Sequence, residues 1–234
     1  MCTRTFFFIS LANIVNGLAS AEVFSIDPSG TYLRTNQDCA KDATPFLLTE
    51  LSLVPGDFIR LQQFGDFKAG TSHSDTSKGM IAVFSGSNVL LSSNLLNRVQ
   101  DAMDAGIDVN TGMTFFGGLN TDIPEDFLVN DTYVQIPQGA THLFVAAGDS
   151  YYCDNSDPDQ NFAVGITRCT CPVGDLDSDC AVNFSDFCIL ASQWLGIPSD
   201  ISADIYPQPD GNGFINIQDF LVFVENWLAP ATCE

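Results

Sequence analysis

Five oxygen-bearing side chains recur at regular spacing in the segment GDLDSDCAVNFSDF, residues 174–187. Counted from the first of them, positions 1, 3, 5, 9 and 12 hold Asp175, Asp177, Asp179, Asn183 and Asp186. A calcium loop of the EF-hand type supplies oxygen ligands from these positions and from the backbone carbonyl of position 7, which is Ala181 here. Position 6 is Cys180, where such loops ordinarily have glycine. The spacing predicts a Ca²⁺ site that precedes an apolar helix.

A second and less regular loop follows, because Asp186-Phe187 recurs as Asp219-Phe220 and Trp194-Leu195 as Trp227-Leu228, in each case 33 residues later. Counting back from the last ligand gives Asp210, Asn212, the carbonyl of Phe214, Asn216 and Asp219. Position 1 falls on Gln208, a poor cation ligand, so Asp204 is the alternative first ligand. Each loop precedes a short apolar helix, and two such units are expected to bury their aromatic faces against each other. The competing interpretation is a solvated acidic loop beside two amphipathic helices.

With this duplication and spacing, residues 174–228 resemble a type I dockerin repeat pair. The resemblance implies that each loop binds calcium, that calcium folds the module, and that the helices dock onto a cohesin-like protein partner. The positions that tend to carry partner recognition in dockerins hold Cys188, Ile189, Leu221 and Val222 in this chain. These apolar residues give no indication of which cohesin would be preferred.

Residues 22–168 show short apolar runs between Gly, Pro, Asn and Asp clusters, which predicts an all-β sandwich. Only the segment 93–106 has helical periodicity, and a short helix is expected there. The composition changes near Arg168, since residues 169–234 contain no Lys, Arg or His and ten Asp or Glu. The predicted fold is therefore mainly β: a β-sandwich at 22–168 and a small α-helical, EF-hand-like module at 169–234.

One loop of the β region also carries candidate calcium ligands. The strand THLFVAA runs into a segment with Asp149, Asp154, Asn155, Asp157 and Asp159, and Tyr151-Tyr152 lies among them. Such oxygens can hold Ca²⁺, which can also accept sugar hydroxyls, while an aromatic ring can stack on the C–H face of a sugar. From the residues alone, an acidic surface loop with core tyrosines is the slightly favoured interpretation.

The stretch 134–166, with VPGDFIRLQQFG and KGMIAVFSG upstream, resembles the galactophilic lectin family of the PA-IL type over about 47–166. The resemblance implies calcium ligands from the side chains of Asp149, Asp154 and Asn155 and from the carbonyl of Tyr151. Carbohydrate contacts are implied for Asp149, Tyr151, Tyr152 and Asn155, with His73 the nearest match to the family's His/Gln contacts. Asp157-Pro158-Asp159 departs from the family pattern, so calcium binding carries over better than galactose specificity.

Composition and the N-terminal segment bear on location. With 8 basic and 29 acidic side chains, the net charge of −21 disfavours nucleic acid and anionic membranes as partners. Residues 1–21 have the pattern of a secretory signal peptide that ends in Ala19-Ser20-Ala21, and no later segment is long and apolar enough for membrane insertion. Seven cysteines would remain after cleavage, so disulfides are expected with at least one cysteine left over. The expected location is secreted or at the cell surface.

Catalysis is not expected, because Glu50, Glu125 and Asp126 are not bracketed by a glycosidase motif and no Ser/His/Asp arrangement is evident. The sequence predicts a calcium-dependent carbohydrate-binding protein with a dockerin-like tail for attachment, in polysaccharide capture or catabolism. Two alternatives remain: a structural cell-envelope protein with calcium-stabilised modules, and a dockerin-bearing glycoside hydrolase.

Overall fold

The computed structural model of the chain describes residues 22–70, 79–107, 109–196, 202–208 and 211–233. The predicted signal peptide at 1–21 and His73 lie outside the described residues. The described strands are, in chain order, β1 (Glu22–Ser25), β2 (Gly30–Thr31), β3 (Lys41–Asp42), β4 (Phe46–Leu47), β5 (Phe58–Phe64), β6 (Lys68–Ala69), β7 (Met80–Ser85), β8 (Ala102–Met103), β9 (Phe127–Val129), β10 (Asp131–Gln135), β11 (His142–Ala147), β12 (Asn155–Ser156), β13 (Ala163–Thr170) and β14 (Thr232–Cys233). A 3₁₀ helix spans Leu48–Leu51, and the α-helices are α1 (Phe184–Ser192) and α2 (Ile217–Glu225). The prediction of a mainly β chain is confirmed.

Two antiparallel sheets form the larger part of the molecule. The first has the strand order β1-β13-β5-β10, with β14 added to β13, and the second has the order β4-β11-β7-β8, with β9 also paired to β7. Along β5, Ile59 and Leu61 are buried whereas Arg60 and Gln62 are partly exposed. This alternation arises because successive side chains of a strand point to opposite faces of the sheet.

The two sheets share one hydrophobic core. Ile59 and Leu61 of the first sheet belong to the same buried cluster as Phe84, Phe127 and Phe144 of the second. The rings of Phe84 and Phe127 lie 5.7 Å apart, which ties β7 to β9. All six residues of β7 are buried, so both faces of the second sheet are covered at its centre. A core shared between two sheets is the layering that the sandwich prediction requires.

The helix predicted for 93–106 is wrong. This segment contains turns, a bridge between Leu90 and Val99, and strand β8. The guanidinium of Arg98 is buried and donates to the carbonyls of Leu33 (3.0 Å) and Leu91 (3.3 Å) and to the Asp42 carboxylate (2.5 Å). These tertiary contacts override the helical periodicity of the sequence.

The composition change at Arg168 falls inside a continuous strand, because β13 extends to Thr170. Cys169 and Thr170 pair with Cys233 and Thr232 of β14, and a disulfide joins Cys169 to Cys233. The C-terminal strand β14 is thus paired and covalently linked to β13, the last strand of the sandwich. Between these two attachments, a second hydrophobic cluster forms from Leu176, Val182, Leu190, Ala203, Ile205, Ile215 and Phe223.

Removal of the Cys169–Cys233 disulfide should destabilise the helical tail. The bond joins residues 64 apart in the sequence, and closing a loop of that length in the unfolded chain contributes about 4 kcal/mol in the chain-entropy account. Both tryptophans, Trp194 and Trp227, lie in the tail, so tryptophan fluorescence during urea unfolding reports on it. We expect Cys169→Ser/Cys233→Ser in a Cys188→Ser background to unfold at lower urea than Cys188→Ser alone. Equal urea midpoints for the two proteins would contradict the prediction that this disulfide stabilises the tail.

Candidate functional site

Loop one brings four carboxylates together as its sequence spacing predicts. Oxygen atoms of Asp175, Asp177, Asp179 and Asp186 all lie within 4.8 Å of one another. Asn183 joins the group, since its Nδ2 donates to Asp179 Oδ2 (3.0 Å) and to the carbonyl of Ala181 (3.3 Å). The structure therefore groups the four carboxylates of this loop, and Asn183 and the carbonyl of Ala181 are linked to the group by hydrogen bonds.

Asp186 is the buried centre of loop one and fixes the start of α1. Its Oδ1 accepts the backbone N–H groups of Leu176 (2.5 Å) and Asp177 (3.1 Å), and its Oδ2 accepts that of Asn183 (2.8 Å). The Asn183 side chain in turn accepts the N–H of Ser185 (2.8 Å), which completes a capping box. One carboxylate thus folds the loop back on itself and satisfies the first turn of the helix.

Asp175 carries a buried oxygen that has no donor among the described residues. Its Oδ2 accepts the N–H of Cys180 (3.1 Å), whereas its Oδ1 is buried and accepts no hydrogen bond from them. Burial first, and then the nearby carboxylates of Asp186 and Asp179, raise the pKa of Asp175 above its ordinary value. A carboxylate oxygen in this position is stabilised by a proton or by a cation. The residues present fit a hard divalent cation such as Ca²⁺, which prefers carboxylate and carbonyl oxygens.

Loop two repeats this arrangement with a different first residue. Asp204 Oδ1 accepts the N–H of Asn212 (2.9 Å), and its Oδ2 accepts that of Gly213 (2.6 Å). Asp204 therefore takes the place that Asp175 has in loop one. The side chain of Gln208, the other alternative for position 1, donates through its Nε2 to the carbonyl of Ile205 (2.7 Å).

The last residue of loop two also matches its counterpart. Asp219 accepts the N–H groups of Ile205 (2.8 Å), Tyr206 (2.9 Å) and Asn216 (2.8 Å), as Asp186 does in loop one. The Asn216 side chain donates to the carbonyl of Phe214 (3.1 Å), as Asn183 does to that of Ala181. Of the residues predicted for this loop, Asp210 lies outside the described residues.

Reciprocal backbone contacts join the two loop–helix units. The N–H of Leu228, which follows α2, donates to the carbonyl of Val182 in loop one (2.9 Å), and that of Leu195, which follows α1, donates to Ile215 in loop two (2.9 Å). Val182 and Ile215 are the equivalent apolar residues of the two loops, and both are fully buried. Each helix end therefore holds the loop of the other unit.

Aromatic contacts fill the space between the two helices. The ring of Phe187 on α1 lies 6.5 Å from that of Phe220 and 6.2 Å from that of Phe223 on α2. At the helix ends, Trp194 meets Phe220 edge-on at 6.2 Å, and Trp227 lies 5.4 Å from Phe223. The aromatic side chains of the two repeats therefore contact each other as expected, but only Phe223 is fully buried, whereas Trp194 and Trp227 remain 39% and 41% exposed.

The cysteines of the described residues form the disulfides Cys39–Cys153, Cys169–Cys233 and Cys171–Cys180. Cys188 is free and exposed on α1, which confirms that at least one cysteine is left over. Two other groupings with metal-like spacing contain Cys39 with Cys153 and Cys171 with Cys180. These sulfurs are bonded to each other and are not available as thiolate ligands.

In the β domain, the predicted calcium residues lie between β11 and β13. Asp149 is partly buried and its Oδ1 accepts the N–H of Ser150 (2.7 Å), while Asp154 is exposed. Asn155 begins β12 and is 8% exposed, and its Nδ2 donates to the carbonyl of Pro28 (3.0 Å). Its Oδ1 is buried and accepts no hydrogen bond from the described part of the chain. Within that part, no hydrogen bond joins the side chains of Asp149, Asp154 and Asn155.

The two tyrosines of this loop lie in different surroundings. Tyr152 is 2% exposed and its hydroxyl donates to the carbonyl of Ala147 (3.0 Å), while burial raises the pKa of its phenol. This ring is a core side chain and leaves no face for a sugar, in contrast to the implied carbohydrate contact. Tyr151 is partly exposed, and its ring lies 5.0 Å from Phe115 and 5.1 Å from Phe116.

Sequence reasoning missed residues on both sides of this loop. The carboxylate of Asp38 accepts the N–H groups of Tyr152 (2.7 Å) and Cys153 (3.0 Å), beside the Cys39–Cys153 disulfide. The segment 111–121 presents Phe115, which is 67% exposed, and its N–H donates to the carbonyl of Ser150 (3.0 Å). The position of Asp38 next to Cys39 could have indicated that it lies near a disulfide, whereas nothing in the sequence indicates contact between Phe115 and Tyr151.

The three residues considered for glycosidase chemistry lie in different surroundings. Asp126 is fully buried and lies 3.5 Å from the hydroxyl of Tyr32. Glu50 is exposed in the 3₁₀ helix, and Glu125 is partly buried. Neither Glu50 nor Glu125 belongs to an acidic grouping within the described residues.

Comparisons with known protein families, with curated proteins and with solved structures found no match to this chain. Among the described residues, no helix has the length and apolar character needed to cross a membrane.

Acidification of the calcium-free protein should stabilise the tail. The pKa values of Asp175 and Asp177 are raised, in each case by burial first, so the folded state binds more protons than the unfolded state as pH falls toward them. Stability then rises as pH is lowered from neutral into the mildly acidic range. The check is the urea midpoint by tryptophan fluorescence in chelator at several pH values, with Asp175→Asn/Asp177→Asn expected to flatten the dependence. A wild-type midpoint that falls steadily on acidification would contradict the prediction.

Proposed function

We propose that this chain is an exported, calcium-dependent binding protein, with a carbohydrate-binding β domain and a dockerin-like tail that attaches it to a surface or protein partner. The observation that carries the proposal is the buried Oδ1 of Asp175, which has no donor in the part of the chain that the structure describes and lies among three further carboxylates. Placing such a group in a fold costs free energy unless a cation offsets the charge. Calcium is the cation that the ligand spacing and the all-oxygen donor set favour.

Duplication supports two calcium sites in the tail. Asp204 and Asp219 receive backbone N–H groups as Asp175 and Asp186 do. The predicted ligands of loop two include three carboxylates, Asp204, Asp210 and Asp219, against four in loop one, so we expect loop two to bind calcium more weakly. The ions would act by holding together two helices whose shared core is small.

Attachment to a protein is supported by the apolar residues that the helices leave exposed. Phe184 is 66% exposed on α1, and its counterpart 33 residues on, Ile217, is 57% exposed on α2. Leu195 and Leu228, again 33 residues apart, are exposed beyond the helix ends. Exposed apolar residues that recur in both repeats indicate a surface for another protein, and a cohesin-like domain is the partner that the dockerin resemblance implies.

Carbohydrate binding is proposed for the loop between β11 and β13. Asn155 has a buried amide oxygen without a donor among the described residues, and Asp149 and Asp154 lie in the same loop. Beside them, Tyr151 and Phe115 form an accessible aromatic surface. Calcium with open coordination sites would accept sugar hydroxyls, and the aromatic surface would contact the C–H face of the ring. The physiological role would be polysaccharide capture or catabolism.

Calcium should stabilise the tail through Asp175. We expect calcium to raise the urea midpoint measured by tryptophan fluorescence. We expect Asp175→Asn to raise the calcium concentration needed for half of this effect by at least about tenfold, because the charge of the ligands sets affinity in such loops. Glu225→Gln, an exposed change of equal charge on α2, should leave calcium affinity unchanged. No calcium response in the wild type would refute the calcium part of the proposal. Equal behaviour of the two variants would remove Asp175 from the site.

Sugar binding should depend on calcium held in the β domain rather than in the tail. On a glycan array we expect the wild-type protein to bind sugars in calcium and to lose this binding when a chelator is added. The variant Asp154→Asn should bind less than the wild type, whereas Asp175→Asn should bind as well as the wild type. Tyr151→Ala should also reduce sugar binding, whereas Tyr133→Ala, which removes an exposed tyrosine of β10, should not. A blank array with and without calcium would refute the carbohydrate proposal and favour the structural alternative.

A further inference from the structure

The sixth residue of each loop has the same backbone role but a different side chain. Cys180 in loop one and Gly213 in loop two both have a left-handed backbone, with φ of 65° and 88°. The N–H of each donates to the first carboxylate of its loop, Cys180 to Asp175 (3.1 Å) and Gly213 to Asp204 (2.6 Å). The left-handed turn therefore aims one backbone N–H at the first ligand. Glycine adopts this conformation without strain, whereas a residue with a Cβ does not.

Cys180 is held in this conformation by a covalent bond. Its side chain is 4% exposed and forms a disulfide with Cys171, which precedes the loop by a few residues. The covalent ring that the disulfide closes contains Asp175, whose N–H donates to the carbonyl of Pro172 (3.2 Å). Both sides of Asp175 are thus fixed, one by the segment after Cys171 and the other by the N–H of Cys180. Loop two, with Gly213 at this position, has no such bond among its described residues.

We propose that the Cys171–Cys180 disulfide positions Asp175 for calcium by imposing at Cys180 the left-handed turn that loop two obtains from Gly213. The inference rests on calcium binding by loop one, as proposed above. Its consequence is that calcium affinity depends on the disulfide in loop one and not in loop two. Reduction of this bond by a dithiol, which supplies two electrons and two protons and is itself oxidised to a disulfide, converts both sulfurs to thiols and releases the constraint on Cys180.

A glycine substitution distinguishes the effect of the disulfide on the backbone conformation of Cys180 from its effect as a covalent cross-link. Cys171→Ser/Cys180→Ala removes the bond and leaves a Cβ at position 6, whereas Cys171→Ser/Cys180→Gly removes the same bond and permits the left-handed turn. Cys169→Ser/Cys233→Ser removes a different disulfide and controls for loss of covalent linkage to the sandwich. Calcium titrations followed by amide NMR resolve residues 175–186 from residues 204–219, so each loop is read separately.

We expect the alanine variant to weaken calcium binding in loop one by about tenfold, from the cost of a left-handed residue, with loop two unchanged. The glycine variant should recover most of the loss, and the Cys169/Cys233 control, which destabilises the tail as a whole, should change the affinities of the two loops by the same factor. Unchanged loop-one affinity in the alanine variant, or equal losses in the alanine and glycine variants, would overturn the inference.

If the alanine variant does not fold, the inference is tested by comparing the calcium affinity of loop one in the glycine variant with that in the wild type. Near-wild-type affinity in loop one without the disulfide supports the inference, and a tenfold loss overturns it. A wild-type protein that binds no calcium in either loop refutes the proposed calcium sites themselves, and this outcome is distinct from every outcome in which the wild type binds.

Discussion

Repulsion among the four carboxylates of loop one is the constraint on which the tail depends. Asp175, Asp177, Asp179 and Asp186 lie within 4.8 Å of one another, and the segment 169–234 contains no basic side chain to offset them. Backbone N–H groups stabilise part of this charge, since Asp186 alone accepts three of them. They leave the Oδ1 of Asp175 without a donor among the described residues. The proposed calcium ion would offset this charge.

The same acidic residues also organise the helices, which explains why loop and helix are duplicated together. Asp186 and Asp219 each complete a capping box at the start of a helix, where a negative charge is favoured by the helix dipole. Each nine-residue helix is too short to be stable alone in water. The exchanged contacts of Leu195 and Leu228 with the opposite loops make the two units one cooperative structure. An ion in either loop would therefore stabilise both helices.

The two helices of the tail and the grouping of carboxylates in loop one were predictable from sequence because their signals are local. The spacing of the acidic residues and the apolar runs lie within short segments, and the structure brings the four carboxylates of loop one together. Asp204 was only an alternative first ligand, because the four-residue insertion after Tyr206 hides its correspondence with Asp175. The exchanged contacts between helix ends and loops could not be predicted, since they join residues far apart in the sequence.

The β domain was predictable in class and less so in detail, for a physical reason. Alternation along β5 and turn residues between runs indicate strands, but the partners of a loop are set by tertiary contacts. Arg98 draws the segment 93–106 into an irregular path, and Asp38 anchors Tyr152 from more than a hundred residues away. Tyr152 illustrates the limit: the motif implies a sugar contact, whereas the ring is buried and bonded to Ala147.

A crystal structure of the protein grown with calcium, with anomalous data to locate the ions, tests the central claim most directly. We predict an ion in loop one bound by Oδ1 of Asp175, with Asp177, Asp179 and the carbonyl of Ala181 among its other ligands. A loop that keeps this conformation at saturating calcium while Asp175 Oδ1 contacts only water or a protein donor would contradict this prediction.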